Sequence, residues 1–311
     1  MAEVLRPMST GELLDRTFSL YRKNFKLFVG IATLGPAAYL VFQLLMVGSV
    51  GLPGMSSRPS AVVGASFGIG MFIGSIVMLA GMAVANGATV KAVAAVHLGR
   101  SITIGEAYGS LRGRFGRILG VFFTVIFLVG IAAIAIIAVA AIVGSLAVVG
   151  GAQVGTAGAV AGGLIGLAAA VVGALLAITI YVRYALSVPA CVVEDIGIRA
   201  SLKRSAFLSK GSRSRILAVY FVFSVLTWIF SLALGALAEG AAVLVHNAIV
   251  RLVFVFVASF VAGSLTGPLA TIGIALIYYD ERVRKEAFDL QLMMASLDTP
   301  EQGSVPVPVQ P

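Results

Sequence analysis

From Ile118 to Val182, 65 consecutive residues contain no Asp, Glu, Lys or Arg. Four further long apolar runs flank this stretch, and nearly all the charge sits in four short segments between the runs or at the ends. A water-soluble domain cannot hide so much continuous apolar chain. In a bilayer, about 20 apolar residues make one spanning helix. The chain therefore reads as an all-α, multi-span membrane protein.

Composition agrees. Charged residues make up 11%, against about 25% in an average soluble protein. Glycine is abundant, with 36 copies, and glycine is favoured where transmembrane helices pack closely. The net charge of +9 does not point to nucleic acid, because the basic residues flank apolar spans. Membrane orientation and contact with anionic headgroups explain them better. A lone cysteine, Cys191, leaves no internal disulfide and no multi-cysteine metal site. The N-terminus does not read as a cleavable signal peptide. Its first 24 residues are mostly polar, and the apolar run that follows is too long.

Six spans are expected: Phe25–Val50, Val62–Val96, Ile118–Val149, Gly155–Tyr184, Ile216–Leu237 and Leu252–Tyr279. This assignment puts 20 of the 22 basic residues on one side; only Arg58 and Arg251 fall on the other. Lys and Arg accumulate on the cytoplasmic side, so both termini are expected there. Basic loops on both flanks of the charge-free stretch demand an even number of crossings. Two long helices turning at Gly150-Gly151-Ala152-Gln153 satisfy this. Pro36 and Pro268 lie inside spans, and each removes a backbone donor, so kinks are expected. The domain limits read as an N-terminal amphipathic segment over 1–24, a transmembrane domain over 25–290 and a disordered, proline-containing tail over 291–311.

The segments on the basic side resemble one another. Ser9-Thr10-Gly11-Glu12 and Thr103-Ile104-Gly105-Glu106 both read [ST]-x-G-E, the pattern of a capping box at a helix start. Leu14, Phe18, Tyr21 and Phe25 share one face of the first expected helix, and Tyr108, Leu111 and Phe115 share one face of the second. Arg22 to Gly30 parallels Arg112 to Gly120 as R-x-x-F-x-x-φ-φ-G, where φ is apolar. A weaker third copy runs from Asp195 through Ile198 and Leu202 to Arg215-Ile216-Leu217. The copies imply three units, each an interfacial basic helix followed by a transmembrane hairpin. The basic residues of these segments are candidate contacts for anionic lipid: Arg22, Lys23, Arg112, Arg114, Arg117, Lys203, Arg204, Arg213 and Arg215. Small-xxx-small pairs such as Gly70/Gly74, Gly158/Gly162, Gly162/Gly166 and Gly263/Gly267 allow either a homodimer face or packing within one bundle.

Chemistry is sparse. No H-E-x-x-H, G-x-S-x-G or phosphate-loop motif occurs. Glu194-Asp195 reads as a metal pair or a helix cap. His246-Asn247 with Glu239 and Arg251 could line an outer pocket, though few groups converge there. The spans hold no clear acidic residue, which counts against ion-coupled transport but leaves room for a carrier of apolar molecules. No cofactor is expected. After the last span, Asp280, Arg282, Arg284 and Lys285 form a charged exit motif, with Glu281/Lys285 and Arg282/Glu286 at pairing distance on a helix. This motif reads either as a solvated helical extension or as a lock that docks on the basic helices.

The opening Arg6-Pro7-Met8-Ser9-Thr10-Gly11-Glu12-Leu13-Leu14-Asp15 with Phe18 to Phe25, the segment Pro189 to Gly211, and the exit Tyr278 to Leu290 resemble the bacterial glycerophosphoryl diester phosphodiesterase membrane-domain family. The resemblance spans residues 5 to 292. It implies location in a bacterial plasma membrane and a membrane domain that some bacteria fuse to a phosphodiesterase barrel. Roughly 20 residues follow Leu290, too few for such a barrel, so no phosphodiesterase activity is expected. The leading expectation is a non-enzymatic membrane scaffold or partner-binding domain, with a protein partner or homodimer. The alternative is a permease-like carrier of a lipid or other apolar substrate. A polar cavity within the membrane favours the carrier; a filled bundle favours the scaffold.

Overall fold

A computed structural model describes residues 7–50, 61–152, 155–243 and 247–286. The described residues form helices and connections, with no strand among them. In chain order the helices are α1 (Thr10–Lys23), α2 (Phe25–Ala32), α3 (Leu34–Val50), α4 (Ala61–His97), α5 (Ile104–Gly109), α6 (Phe115–Ala152), α7 (Thr156–Tyr184), α8 (Ser187–Glu194), α9 (Ile198–Leu208), α10 (Arg213–Val243) and α11 (Ala248–Glu286). Six stretches are long and apolar enough to span a membrane: Phe25–Val47, Phe67–His97, Phe115–Gly150, Thr156–Glu194, Arg213–Ala241 and Ile249–Glu286. The protein is thus an all-α, six-span helical bundle. The charge-free stretch is two helices, α6 and α7, although Gln153 of the expected turn lies outside the described residues.

The closest helix pairs are consecutive: α3 with α4, α6 with α7, and α10 with α11. Each forms a hairpin preceded by a short helix at the basic end. Both expected capping boxes exist. Ser9 Oγ accepts from the Glu12 N–H at 3.2 Å while Glu12 Oε2 accepts from the Ser9 N–H at 2.7 Å. Thr103 and Glu106 repeat this at 3.2 and 2.8 Å. The hydrogen bonds from the Thr103 backbone and hydroxyl region hold the exposed Glu106 carboxyl below its ordinary range. The third unit has no such box, because Gly197 is the N-cap of α9 and offers no side chain.

The units contact one another in a repeating way. A Cβ on Gly30 would lie 2.5 Å from Ile104 Cδ1, and one on Gly120 would lie 2.4 Å from Ile198 Cδ1. In both cases the glycine that ends the repeated motif of one unit receives the first helical residue of the next unit's short helix. Arg117 Nη1 donates to the Asp195 carbonyl at 3.0 Å, and the equivalent Arg215 donates through Nη2 to the Met8 carbonyl at 2.5 Å. The first pair joins unit two to unit three; the second returns from unit three to unit one. The chain closes on itself.

Several expectations need correction. The span at Phe25–Val50 is broken at Thr33, and Pro36 sits in the first turn of α3, where a missing N–H leaves no bond unmade. Pro268 lies inside α11, within the expected last span. The buried face of α1 is Leu13, Thr17 and Leu20, while Phe18 and Phe25 are exposed. Aromatic side chains at a membrane surface suit the headgroup level as well as a core, so they misled the assignment of the face. α5 is a single short helix followed by turns, not a long amphipathic helix. Beyond the expected end of the fourth span at Tyr184, the chain forms a further short helix at Ser187–Glu194.

The protein core lies at the basic end. It joins Leu13, Phe28, Val93, Leu111, Ile118, Leu186, Leu208, Ile216, Phe223 and Leu276 through Tyr279 from all three units. Toward the other end the most apolar helices are the most exposed: Ile134 on α6 is 69% exposed and Leu237 on α10 is 70% exposed. Lipid tails are as apolar as these side chains, so nothing drives them together. Contacts there rely on close backbone approach, as where a Cβ on Gly166 would come within 2.9 Å of Gly144 Cα, and one on Gly263 within 2.9 Å of Pro36 Cγ. Gly166 therefore serves the α6–α7 hairpin rather than an outward stripe.

Candidate functional site

Two features at the basic end bring polar groups together. The first is an ion-pair network on the last turns of α11. Asp280 is fully buried and binds three elements at once. Its Oδ2 accepts from Arg215 Nη1 at 2.5 Å and from Arg284 Nε at 2.8 Å, and its Oδ1 accepts from the Met8 N–H at 2.6 Å. Arg284 Nη2 also donates to the Met8 carbonyl at 2.6 Å. Glu281 is buried between Arg215 at 3.5 Å and Lys285 at 3.2 Å. Lys285 Nζ donates to the carbonyls of Leu208 and, at 2.8 Å, Lys210, so it caps the C-terminal end of α9.

A second cluster lies beside it. Glu194 Oε1 accepts from Tyr278 Oη at 2.5 Å and from Arg204 Nε at 2.8 Å. Arg204 Nη2 also donates to Glu286 Oε2 at 2.6 Å, and Arg282 Nε lies 3.2 Å from the same oxygen. Burial opposes the Arg204 charge, but the Glu286 and Glu194 hydrogen bonds outweigh it and hold the guanidinium protonated beyond its ordinary range. Asp195, the left-handed C-cap of α8 at φ 56°, pairs with Arg114 at 2.9 Å and Arg117 at 3.0 Å. Both carboxylates of the Glu194-Asp195 pair are thus engaged by arginines, and among the described residues no group of His, Cys, Asp or Glu is placed to hold a metal.

The nine candidate lipid-contact residues fall into two sets. Arg22, Lys23, Arg112, Lys203 and Arg213 are exposed. Arg204 and Arg215 instead face acidic partners within the protein, and Arg114 and Arg117 are half-buried against Asp195. The exit residues Asp280, Arg282, Arg284 and Lys285 come together in the network. The rest of the exit segment, Phe288, Asp289 and Leu290, lies outside the described residues. So does His246 of the outer pair; Glu239 and Arg251 form an exposed ion pair at 2.8 Å.

The second feature is a cavity of about 350 Å³ among α4, α6, α7, α8, α10 and α11. It exists because α7 stops at Tyr184 and the chain restarts as α8. Pro189, in the first turn of α8, has no N–H to continue the α7 ladder. The backbone groups freed by this break are met by hydroxyls of α9. Ser205 Oγ accepts from the Leu186 N–H at 3.1 Å and donates to the Arg183 carbonyl at 2.9 Å, and Ser209 Oγ donates to the same carbonyl at 3.1 Å. A broken helix at membrane depth is tolerated only with such partners. Serines four apart, Ser201, Ser205 and Ser209, are all fully buried. Their spacing, together with Pro189, was a readable signal of a buried polar helix face.

Apolar side chains such as Phe122, Val125, Ile126 and Ile274 make most of the cavity wall. The polar groups are neutral: Asn86, Thr271, Ser187 and the phenols of Tyr181, Tyr184 and Tyr220. Thr271 Oγ1 donates to Asn86 Oδ1 at 2.7 Å, and the Tyr181 and Tyr220 rings lie 4.9 Å apart. Gly267 opens on the cavity, and a Cβ there would meet nothing within 4 Å. Counting along α4, α10 and α11 at 1.5 Å per residue, Asn86, Tyr220 and Ile274 lie about 10–18 Å from the basic helix ends. The cavity therefore sits in the half of the bundle toward the basic end. No family model, curated protein or solved structure matches this chain.

Proposed function

We propose that this integral membrane protein binds a lipid-like molecule, taken laterally from the bilayer into the cavity of α4, α6, α7, α8, α10 and α11, as a carrier of apolar cargo rather than an enzyme. The cavity carries this reading. It is about 350 Å³, within the range of small-molecule sites of about 300–1,000 Å³, and its mostly apolar wall with a few neutral polar groups is the usual make-up of such sites. Gly267→Leu places a side chain into the open space beside Gly267. After exchange into a delipidating detergent, the native protein is expected to retain a co-purified amphiphile by native mass spectrometry, and the variant to lose it. Equal retention by both would remove the reading.

The ion-pair network favours a second reading, a membrane scaffold, since it fixes the face on which a partner would dock. We further propose that the chain belongs with the bacterial glycerophosphoryl diester phosphodiesterase membrane domains, with its basic end in the cytoplasm and its exposed Arg22, Lys23, Arg112, Lys203 and Arg213 near anionic headgroups. The distribution of basic residues supports this orientation. With Cys191 replaced, cysteines at Ser56 and Gln153 should react with an impermeant thiol reagent in intact cells, and one at Ser110 should not. Labelling at Ser110 would reverse the orientation.

A further inference from the structure

We propose that the cavity selects an uncharged amphiphile, a lipid whose head is a hydroxyl or carbonyl group, and rejects lipids with an anionic phosphate head. The proposal rests on the reading of the cavity as a lipid site and adds what the head must be.

Among the described residues, the lining contains no Asp, Glu, Lys, Arg or His. A phosphate drawn into an apolar cavity loses its hydration, and only a paired countercharge can repay that loss. Proteins that bind phosphate heads present arginine forks or lysines to them. Among the described residues, the arginines beside the cavity either pair with carboxylates or stand outside its lining. Arg114 and Arg117 are bound to Asp195. Arg204 and Arg282 are bound among Glu194 and Glu286. Arg183, next to the lining residue Tyr184, is exposed and lies over the Tyr184 ring at 5.5 Å. An anionic head in the cavity would therefore be desolvated and unpaired.

A neutral head meets suitable partners. Asn86 uses its carbonyl oxygen for Thr271, and its two amide N–H donors remain for a ligand oxygen. The phenols of Tyr181 and Tyr220, which stand together on neighbouring helices, can donate to a carbonyl or accept from a hydroxyl. The Phe122, Val125 and Ile126 side of the wall then receives acyl methylenes. This arrangement has the amphipathic character that an uncharged lipid requires: apolar over most of its surface, with hydrogen-bonding groups clustered and without charge.

The test uses two photoactivatable probes with identical diazirine-bearing acyl chains, diacylglycerol and phosphatidic acid, which differ only in the phosphate. The full-length protein is reconstituted in phosphatidylcholine nanodiscs, labelled with each probe, and mapped by peptide mass spectrometry. Diacylglycerol is expected to label cavity-lining peptides of α4, α7 or α10. Phosphatidic acid is expected to label only outer surfaces and the basic end. Tyr220→Phe, which keeps the ring and its packing, should reduce diacylglycerol labelling of the cavity by about five-fold, the weight of one hydrogen bond of about 1 kcal/mol. Asn86→Leu should do so by at least as much. Phosphatidic acid labelling of the cavity equal to that by diacylglycerol would overturn the selectivity while leaving the lipid site intact. Cavity peptides labelled by neither probe, with outer surfaces labelled by both, would overturn the lipid-site reading itself. Diacylglycerol labelling unchanged in both variants would overturn the assigned head contacts.

Discussion

Asp280→Ala is expected to lower the stability of the detergent-solubilised protein by about 3–5 kcal/mol, the usual cost of removing one partner from a buried ion pair. The carboxylate is fully buried and receives Arg215, Arg284 and the Met8 N–H. Its removal leaves the Arg215 guanidinium, whose side chain is 14% exposed, with the Met8 carbonyl and a single, more distant carboxylate, Glu281 at 3.5 Å. It also removes the Met8 N–H bond between the segment before α1 and α11, which leaves only the Arg284 and Arg215 bonds to the Met8 carbonyl to close unit three on unit one. The pair itself contributes less than this loss, because bringing both charges out of water opposes their attraction. The double variant Asp280→Leu/Arg215→Met should therefore be more stable than Asp280→Ala. Glu239→Ala removes an exposed pair with Arg251 and should change stability by less than about 1 kcal/mol. Unfolding in a mild detergent by denaturant titration measures all three. A loss under 1 kcal/mol for Asp280→Ala would mean the network is not holding the basic end together.

Gly166→Leu should open the α6–α7 hairpin and destabilise the protein by about 1–3 kcal/mol, the range for overpacking a close contact. A Cβ on Gly166 would approach Gly144 Cα to 2.9 Å. The obstacle is backbone, so no side chain can turn away and the helices must separate. Separation would also loosen the contact at Gly173, where a Cβ would fall 1.5 Å from Ile136 Cγ2. Replacing glycine in a helix gains about 0.8–1 kcal/mol in propensity, which offsets part of the loss. Gly163→Leu on the same helix is the control, because a Cβ there meets nothing within 4 Å. It should be neutral or slightly stabilising. Thermal unfolding in detergent that gives the same midpoint for both variants would show that the hairpin does not depend on this contact.

Much of the architecture was legible because a bilayer imposes strict rules on sequence. Every span must supply its own backbone hydrogen bonds and an apolar surface, so six runs of apolar residues can be read directly. The capping boxes at Ser9 and Thr103 were legible because the Glu three residues on is part of a local, four-residue geometry. The i,i+4 pairs Glu281/Lys285 and Arg282/Glu286 were legible for the same reason. The partners of Asp280 were not, since Met8 and Arg215 lie hundreds and tens of residues away along the chain. Lipid contact was assigned to Arg204 and Arg215 because juxtamembrane arginines look alike in sequence. Only the fold shows which ones meet a carboxylate. The cavity was illegible for a similar reason. Its polar groups come from separate helices, one residue or two from each, and none stands out from its neighbours.

What the sequence alone determined is the set of helices that cross the membrane, the side on which their basic flanks gather, and the repetition of a short helix before each hairpin. These follow from the apolar content of each run and from local caps, which need no knowledge of neighbours. Tertiary structure alone decided that the core lies at the basic end, that Arg117 ties unit two to unit three and Arg215 ties unit three back to unit one, that α7 breaks before Pro189 with its freed carbonyl bound by Ser205 and Ser209, and that a neutral cavity opens at this break. Lipid removes the hydrophobic drive between spans. Which helices touch is therefore left to glycine contacts, hydroxyl bonds and ion pairs, and these depend on residues that are distant in sequence and come together only in the folded bundle.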